Sequence, residues 1–297
     1  MICNLCEADD FSPYTEIGRF RVVRCNKCGL FHTSPRRSQE ETSQLYSEGY
    51  FTSDDPSTLG YDDYSSHAAG LRQVFSDNLA IIESRVRPPA SVLDVGCALG
   101  YFIEVAMARG WSAEGVEISA YASQAARERT GATVRTGALT SAGLDASSFD
   151  LLTMWDILEH TLDPSGELAE ARRALKPGGY LFMTVPDAGA LPARLMGRHW
   201  FGFKSAAEHN YFFSRDTIDG LLEKAGLKLV ETRRGVWPCS ARFLAAKLRP
   251  YSPLAQRMAG ALLKWLRMED KIVRFKFIDM FVIAKKDDEA EPPTPDP

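Results

Sequence analysis

The chain lacks any apolar run approaching the ~20 residues that a membrane span requires, so it is not expected to cross a bilayer. Its first residues, MICNLCEADD, have neither a basic n-region nor an apolar h-region. No secretory signal is expected, and a cytoplasmic address follows. Positive charge is not in excess either: 35 Lys and Arg stand against 39 Asp and Glu, a net charge of −4 with a pI of about 5.8. No basic face is forced, which disfavours nucleic acid as a partner. Cysteine is scarce, with only 6 in 297 residues. In a reducing compartment, paired cysteines read as metal ligands before disulfides. What remains is ordinary for a soluble globular protein, 45% hydrophobic and 25% charged, and long enough for one large domain with a small one.

Four of the six cysteines stand at the front, Cys3, Cys6, Cys25 and Cys28, in the pattern C-x2-C-x18-C-x2-C. That spacing suits a tetrahedral zinc site, each C-x-x-C presenting two thiolates to one ion. Between the pairs, residues 20–24 alternate like a strand. The expectation is a zinc-ribbon-like module over residues 1–35, with a structural ion, since four thiolates leave no open position. A redox dithiol or unpaired structural cysteines are the alternatives. His32, close by, reads as an ordinary polar residue because four cysteines already suffice.

Residues 91–119 organise the rest. Val92-Leu93-Asp94-Val95 reads as a buried parallel strand, followed by the turn Gly96-Cys97-Ala98-Leu99-Gly100, a helix with Phe102, Val105 and Ala106 on one face, and a second strand ending in Glu117. A dinucleotide turn needs G-x-G-x-x-G, and here the second and third glycines are replaced by Ala98 and Tyr101. The turn therefore suits a ligand without a pyrophosphate. Asp94 can meet a cationic amine, and Glu117 can accept from two ribose hydroxyls. S-adenosylmethionine has an amino-acid end and a ribose. The segment resembles the first motif of class I S-adenosylmethionine-dependent methyltransferases, D-x-G-x-x-x-G with an acid ending the next strand. The resemblance implies an α/β, Rossmann-like, doubly wound sheet of seven strands, the last antiparallel.

The remaining chain fits that frame. Residues 36–65 form a polar connector too rich in aromatics for a spacer (Tyr46, Tyr50, Phe51, Tyr61, Tyr64), expected to cover the site as a lid. An amphipathic helix over about 66–86 precedes the first strand, and the methyltransferase domain is expected over 66–285. Residues 120–129 read as a helix stopped by Gly131, 133–136 as a third strand, and 149–156 as a fourth. A helix over 168–175, with Glu167, Glu170 and Arg172 outward, leads to the string ALKPGGYLFMTVP, which resembles the family's fifth-strand motif. Residues 187–214 interrupt the pattern with Arg194, Arg198, His199, Trp200, Phe201, His209, Tyr211, Phe212 and Phe213, and read as a substrate cover. A capped helix (215–225) and strand six (227–234) follow. Residues 238–269 read as one or two helices in a further insertion (238–270); their basic residues are taken as a solvated face before a partner site. A last strand is expected over 271–285, and a disordered acidic tail from 286.

Ligands in such sheets bind at the carboxyl ends of the strands, which puts Trp155, Asp156, Glu159 and His160 beside the cofactor. The cofactor-contacting set is then Asp94, Gly96, Cys97, Gly100, Glu117, Ile118, Leu139, Trp155 and Asp156. Leu139 stands near the place where the family often has an acid for adenine, here Gly137-Ala138; for Cys97 and Gly100 the turn itself is the reason. Methyl transfer needs alignment, exclusion of water and often removal of a proton. His160 is the expected base, with Glu159 beside it and His209 as a second candidate. The Glu159-His160 and Asp163-Pro164 pair resembles the motif of quinone-biosynthesis O-methyltransferases, and the module-plus-core arrangement resembles the zinc-containing branch, which includes sugar C-methyltransferases. A small-molecule methyl acceptor with a hydroxyl or sugar-type site is implied. The alternatives are a zinc-ribbon adaptor on an idle methyltransferase fold and an RNA methyltransferase. Whether O, C or N receives the methyl, and the oligomeric state, stay open.

Overall fold

The computed structural model describes residues 2–52, 68–235, 237–246, 248, 252–269, 271–275 and 279–288. Three antiparallel strands come first: β1 (Phe11–Ile17), β2 (Phe20–Cys25) and β3 (Phe31–Ser34). The connector is partly helical. Ser38 and Glu41 form a capping box that starts α1 (Gln39–Leu45), and α2 (Glu48–Thr52) follows. The connector beyond Thr52, with Tyr61 and Tyr64, lies outside the described residues, as does the start of the next helix, α3 (Ala68–Ile82).

The alternating core then runs β4 (Ser91–Val95), α4 (Tyr101–Ala108), β5 (Ser112–Glu117), α5 (Ala120–Thr130), β6 (Val134–Thr136), β7 (Phe149–Trp155), α6 (Pro164–Ala174) and β8 (Leu175–Pro186). The next helix begins four residues before the expected Leu168, because Asp163 caps it and Pro164 takes the first turn. Its Glu167, expected outward, is half-buried, and burial with the Asp163 charge raises its carboxyl to about 7. After β8 come α7 (Leu191–Met196), two short 3-10 segments, β9 (Tyr211–Phe212), α8 (Arg215–Lys224) and β10 (Leu227–Arg234).

The chain ends differently from expectation in two places. Residues 238–240, read as helix, belong to β11 (Trp237–Ser240), which precedes α9 (Ala241–Ala246) and α10 (Pro253–Trp265). The single last strand is two: β12 (Ile272–Phe275), which pairs with β11, and β13 (Asp279–Lys286), which enters the main sheet. Lys286, assigned to the tail, is buried, with its ammonium on the carbonyl of Leu175 at 2.8 Å.

The main sheet has seven strands in the order β10-β13-β8-β7-β4-β5-β6. β4 to β8 are parallel, and β13 runs antiparallel to both its neighbours. Successive side chains leave a strand on opposite faces, so Leu152 packs with Leu168, Ile218 and Leu221 on one side, while Leu151 packs with Phe102, Leu79 and Ile82 on the other. Apolar residues at both faces are why these strands read as continuous runs.

The cysteine module is built into this body. β9, from the insertion expected to be a substrate cover, pairs with β3 (Phe31↔Phe212, His32↔Tyr211) and completes a four-stranded sheet. Trp200, Phe203, Phe212, Phe20 and Val22 form one buried cluster across the two. At the cysteine end, the Asn4 amide nitrogen donates to Asp163 Oδ1 at 2.6 Å, Asn4 Oδ1 accepts from the Ser165 N–H at 2.9 Å, and Lys224 Nζ bonds the Asn4 carbonyl at 3.0 Å. The first C-x-x-C is thereby held on the amino end of α6 and on α8.

Candidate active site

The turn after β4 needs its glycine. Gly96 has φ +70°, and a Cβ there would lie 2.1 Å from Ile157 Cδ1. Ile157 belongs to the loop after β7, so the glycine lets that loop close over the turn. Gly100, expected to meet the cofactor, turns the other way: a Cβ on it would meet Ala126 and Thr130 of α5. Cys97 packs inward against Gly115, and Leu139 is fully buried in the core. Tyr101 does not lean on the sheet either; its ring lies between the guanidinium groups of Arg72 and Arg129, 4.7 and 4.4 Å from its centroid.

Two acids define one half of the site. Asp94 is buried, and among the described residues its carboxylate has one partner, the Thr153 hydroxyl, which donates at 2.7 Å. Burial pushes the carboxyl up to about 8, Thr153 opposes this, and the charge of Glu117 adds to it. Glu117 is also buried and raised by desolvation, against which the backbone N–H groups of Ser119 and Ala98 pull. Those bonds, 2.8 Å from Ser119 N to Oε1 and 2.9 Å from Ala98 N to Oε2, aim the carboxylate, and the Ile118 N–H adds a smaller pull. Ile118, between Glu117 and Ser119, is half-buried.

The other half is a histidine pair. His160 and His209 stand edge to face with ring centroids 4.6 Å apart. The Tyr46 hydroxyl of the connector lies 2.8 Å from His160 Nδ1, and the Glu208 carbonyl lies 3.2 Å from the same atom. A carbonyl only accepts, so the tautomer that satisfies it carries its proton on Nδ1 and leaves the Nε2 lone pair available. Burial lowers His160 to about 4, and burial with the neighbouring His160 lowers His209 further. Both are neutral imidazoles at neutral pH. Burial raises the Tyr46 hydroxyl, and the charges of Glu208, Glu159 and Glu117 raise it further. Tyr46, Tyr50, Phe51 and Tyr121 continue as a line of ring contacts from the histidines to α5.

Asn210 holds this pair in place. Its N–H donates to the Glu159 carbonyl at 2.8 Å, its side-chain amide to the carbonyls of His160 (2.8 Å) and Thr161 (3.3 Å), and its own carbonyl accepts from Thr33 N at 2.9 Å. Thr33 Oγ1 donates to the His209 carbonyl at 2.7 Å. Asn210→Ala leaves two carbonyls without donors, one of them in good geometry. Unfolding in urea is expected to show a loss of about 1–3 kcal/mol, with cofactor affinity unchanged because Asp94 and Glu117 do not touch Asn210. An unchanged urea midpoint would remove the clamp.

Behind the histidines lies a group of buried acids. Trp155 packs among Phe75, Phe102 and Phe281, and its indole N–H has no partner in the described residues. Asp156 adopts φ +54°, with its N–H on Thr184 and Oδ1 unpartnered. Both Glu159 oxygens are buried without partners. Burial raises Asp156, Glu159 and Asp279, and the charge of Asp156 raises the other two further. Ligand atoms of Glu159, His160 and His209 lie within 4.8 Å of one another, close enough to share a cation.

The four front cysteines also converge within 4.8 Å, with Cys3 Sγ to Cys28 Sγ and Cys6 Sγ to Cys25 Sγ both at 3.5 Å. Four thiolates at ~2.3 Å from zinc lie ~3.8 Å apart, so the set fits that ion. Burial raises the Cys3 and Cys28 thiols; at Cys25 the N–H groups of Cys28 and Lys27 outweigh burial and bring it to about 7. His32 is not part of the set: it is fully buried, edge-on to Phe11.

The signals that sequence reading missed are Asn210, Thr33 and the role of Tyr46. Asn210 could have been noticed as a lone amide before the aromatic run Tyr211-Phe212-Phe213; Thr33 offers no such signal.

Comparison with known proteins gives the chain its family. Residues 67–232 match the family model described as a methyltransferase domain, and the chain belongs to that family. The ubiquinone biosynthesis O-methyltransferase of Hahella chejuensis is 33% identical over 130 residues, 41% of this chain and 55% of that protein. An uncharacterized 37.1 kDa protein in transposon TN4556 of Streptomyces fradiae is 34% identical over 149 residues, 48% of this chain and 42% of that one. The chain thus spans about half the length of the curated relatives it matches. Among solved structures, an S-adenosylmethionine-dependent methyltransferase from Archaeoglobus fulgidus has a TM-score of 0.52 at 19% identity, covering 75% of this chain and 98% of its own. One from Methanosarcina mazei has a TM-score of 0.51 at 19% identity, covering 70% and 98%. At such identity these two likenesses show the fold, the one expected from residues 91–119. No helix among the described residues is long and apolar enough to cross a membrane.

Proposed function

We propose that this chain is an S-adenosylmethionine-dependent methyltransferase acting on a hydroxyl of a small molecule, with His160 as general base. The observation that carries the reading is the His160–His209 pair, edge to face, with the Tyr46 hydroxyl on His160 Nδ1. The cofactor, when bound, supplies an electrophilic methyl group. Asp94 receives its ammonium, a cation that no described residue provides, and the Glu117 carboxylate, aimed by the N–H groups of Ser119 and Ala98, accepts from the ribose hydroxyls. Trp155 and Asp156, with their unpartnered polar atoms, line the same end. His160 Nε2 takes the acceptor proton, Tyr46 and the Glu208 carbonyl fix the ring, and the connector excludes water. Cys3, Cys6, Cys25 and Cys28 hold structural zinc. The quinone-biosynthesis O-methyltransferases among the relatives support a hydroxyl acceptor.

Incubation with isotope-labelled S-adenosylmethionine and a metabolite extract should label a small molecule. Label in RNA alone, or no calorimetric binding of the cofactor or its demethylated product, would remove the reading. The Asp94 site makes a further prediction. An ammonium prefers the ionised carboxylate, and Asp94 is protonated below about 8. Cofactor affinity is expected to rise by up to ~10-fold per pH unit as pH rises towards 8, with uptake of a proton by buffer. Calorimetry in buffers of different ionisation enthalpy reads that proton, and Asp94→Asn should abolish it. The same shift runs against stability: between the unfolded value near 4 and about 8 the folded chain binds the extra proton, so the unliganded protein loses stability as pH rises through that window.

A further inference from the structure

The helix α10 is built inside out. Ala255, Gln256, Ala259, Gly260 and Leu263 are half-buried, and no residue of the helix is fully buried. Its large side chains point outward: Leu254 is 69% exposed, Met258 65%, Leu262 54% and Trp265 79%. At i, i+4, i+8 and i+11 these four fall on one face. Burying a side chain of this size in an apolar phase is favourable by about 1.5–3 kcal/mol, so a face of four left in water is a surface for something else.

Charge says what that is. In a chain with net charge −4, residues 238–268 contain Arg242, Lys247, Arg249, Arg257, Lys264 and Arg267 and no Asp or Glu. Arg257 and Lys264 are exposed one turn-width from the apolar stripe. A second copy would bring like charge against like. The acidic tail from Asp287 has the right sign, but it contains only Ala290 and prolines as apolar residues and has nothing large to lay on the stripe. A helix with Leu, Met and Trp on one face and Arg and Lys beside it suits an anionic lipid surface, where the tryptophan sits at headgroup depth and the bases meet the phosphates.

We propose that α10 is an in-plane anchor by which this protein docks on anionic bilayers. The anchor does not depend on the methyl-transfer reading. Flotation of the full chain with vesicles of phosphatidylcholine alone, and of phosphatidylcholine mixed with phosphatidylglycerol, tests it. Binding is expected only to the mixed vesicles and to weaken as salt is raised. The double variant Leu262→Ser with Trp265→Ser, whose residues are exposed and should leave the circular dichroism unchanged, is expected to lose binding by about tenfold or more. Arg257→Glu with Lys264→Glu should lose a similar factor by the charge route. No binding to either vesicle, equal binding to both, or binding that survives both double variants overturns the proposal. So does a dimer in sedimentation that Leu262→Ser with Trp265→Ser dissociates while vesicles go unbound, which would assign the face to a second copy.

Discussion

His160→Ala is expected to lower turnover by about 10²- to 10⁴-fold, the range for removal of a general base, while calorimetric affinity for S-adenosylmethionine stays within a small factor. The split follows from the geometry. Asp94 and Glu117 bond to Thr153, Ser119 and Ala98, none of which touches His160. His209→Ala should cost less, because the Tyr46 hydroxyl and the Glu208 carbonyl orient His160 rather than His209. Burial holds His160 down to about 4. A histidine with a depressed folded value is neutral across the neutral range, so turnover at saturating cofactor should show no acid limb at the ordinary histidine value near 6.5 and should fall only towards pH 4. Stability has the same sign for this group: between about 4 and 6.5 the unfolded chain holds the extra proton, so stability rises with pH there and is lost on acidification. A His160→Ala enzyme with unimpaired turnover on the labelled acceptor would leave the ring a packing role.

The parallel core was legible because its signals are local. Residues 92–95, 149–155 and 180–185 are apolar on both faces, and each adjoins a glycine, an acid or a proline that says where it ends. The order of strand, turn, helix and acid lies within residues 91–119, so one stretch carried both fold and cofactor class. The aromatics of the polar connector have ring partners where the chain is described, Tyr46 on His160 and on Tyr50.

What stayed hidden depends on contacts between distant segments. Residues 187–214 read as a substrate cover, yet Tyr211 and Phe212 pair with β3. A strand of two residues has no periodicity to detect, and its partner stands at the other end of the chain. Asn210 is unremarkable by sequence until its amide is seen on the carbonyls of His160 and Thr161. Adjacency to a cofactor motif also does not tell which way a side chain turns: a Cβ on Gly100 would meet α5, and the Leu139 side chain is buried. The split of the last strand, with residues 272–275 leaving to pair with β11, likewise rests on a partner that read as helix.

Removing zinc is expected to do more than melt a small appendage. Structural zinc contributes about 10–16 kcal/mol of apparent binding free energy, and the ribbon shares its core with the body on two sides, through Trp200, Phe203 and Phe212 and through Cys3, Cys25 and Leu30 in the main cluster. Its strand β3 carries Thr33, whose hydroxyl and N–H hold the carbonyls of His209 and Asn210. Asn210 in turn holds the loop of Glu159 and His160. Loss of the metal should therefore travel through β3 and β9 to the base. Cys25→Ser is expected to abolish zinc measured by atomic emission, to lower the thermal midpoint, and to cut turnover by a larger factor than it cuts cofactor affinity. The bonds of Asp94 and Glu117 run to Thr153, Ser119 and Ala98, none of them in the module, so calorimetry should still show binding by the fraction that stays folded. Chelation of the wild-type chain should reproduce this, with four thiols becoming titratable. Purified protein that contains no zinc, or a midpoint that chelator leaves in place, would return the four cysteines to the redox or purely structural alternatives. A cofactor affinity that collapses in step with turnover would instead mean that the module supports the whole sheet, and the path through Thr33 and Asn210 would lose its standing.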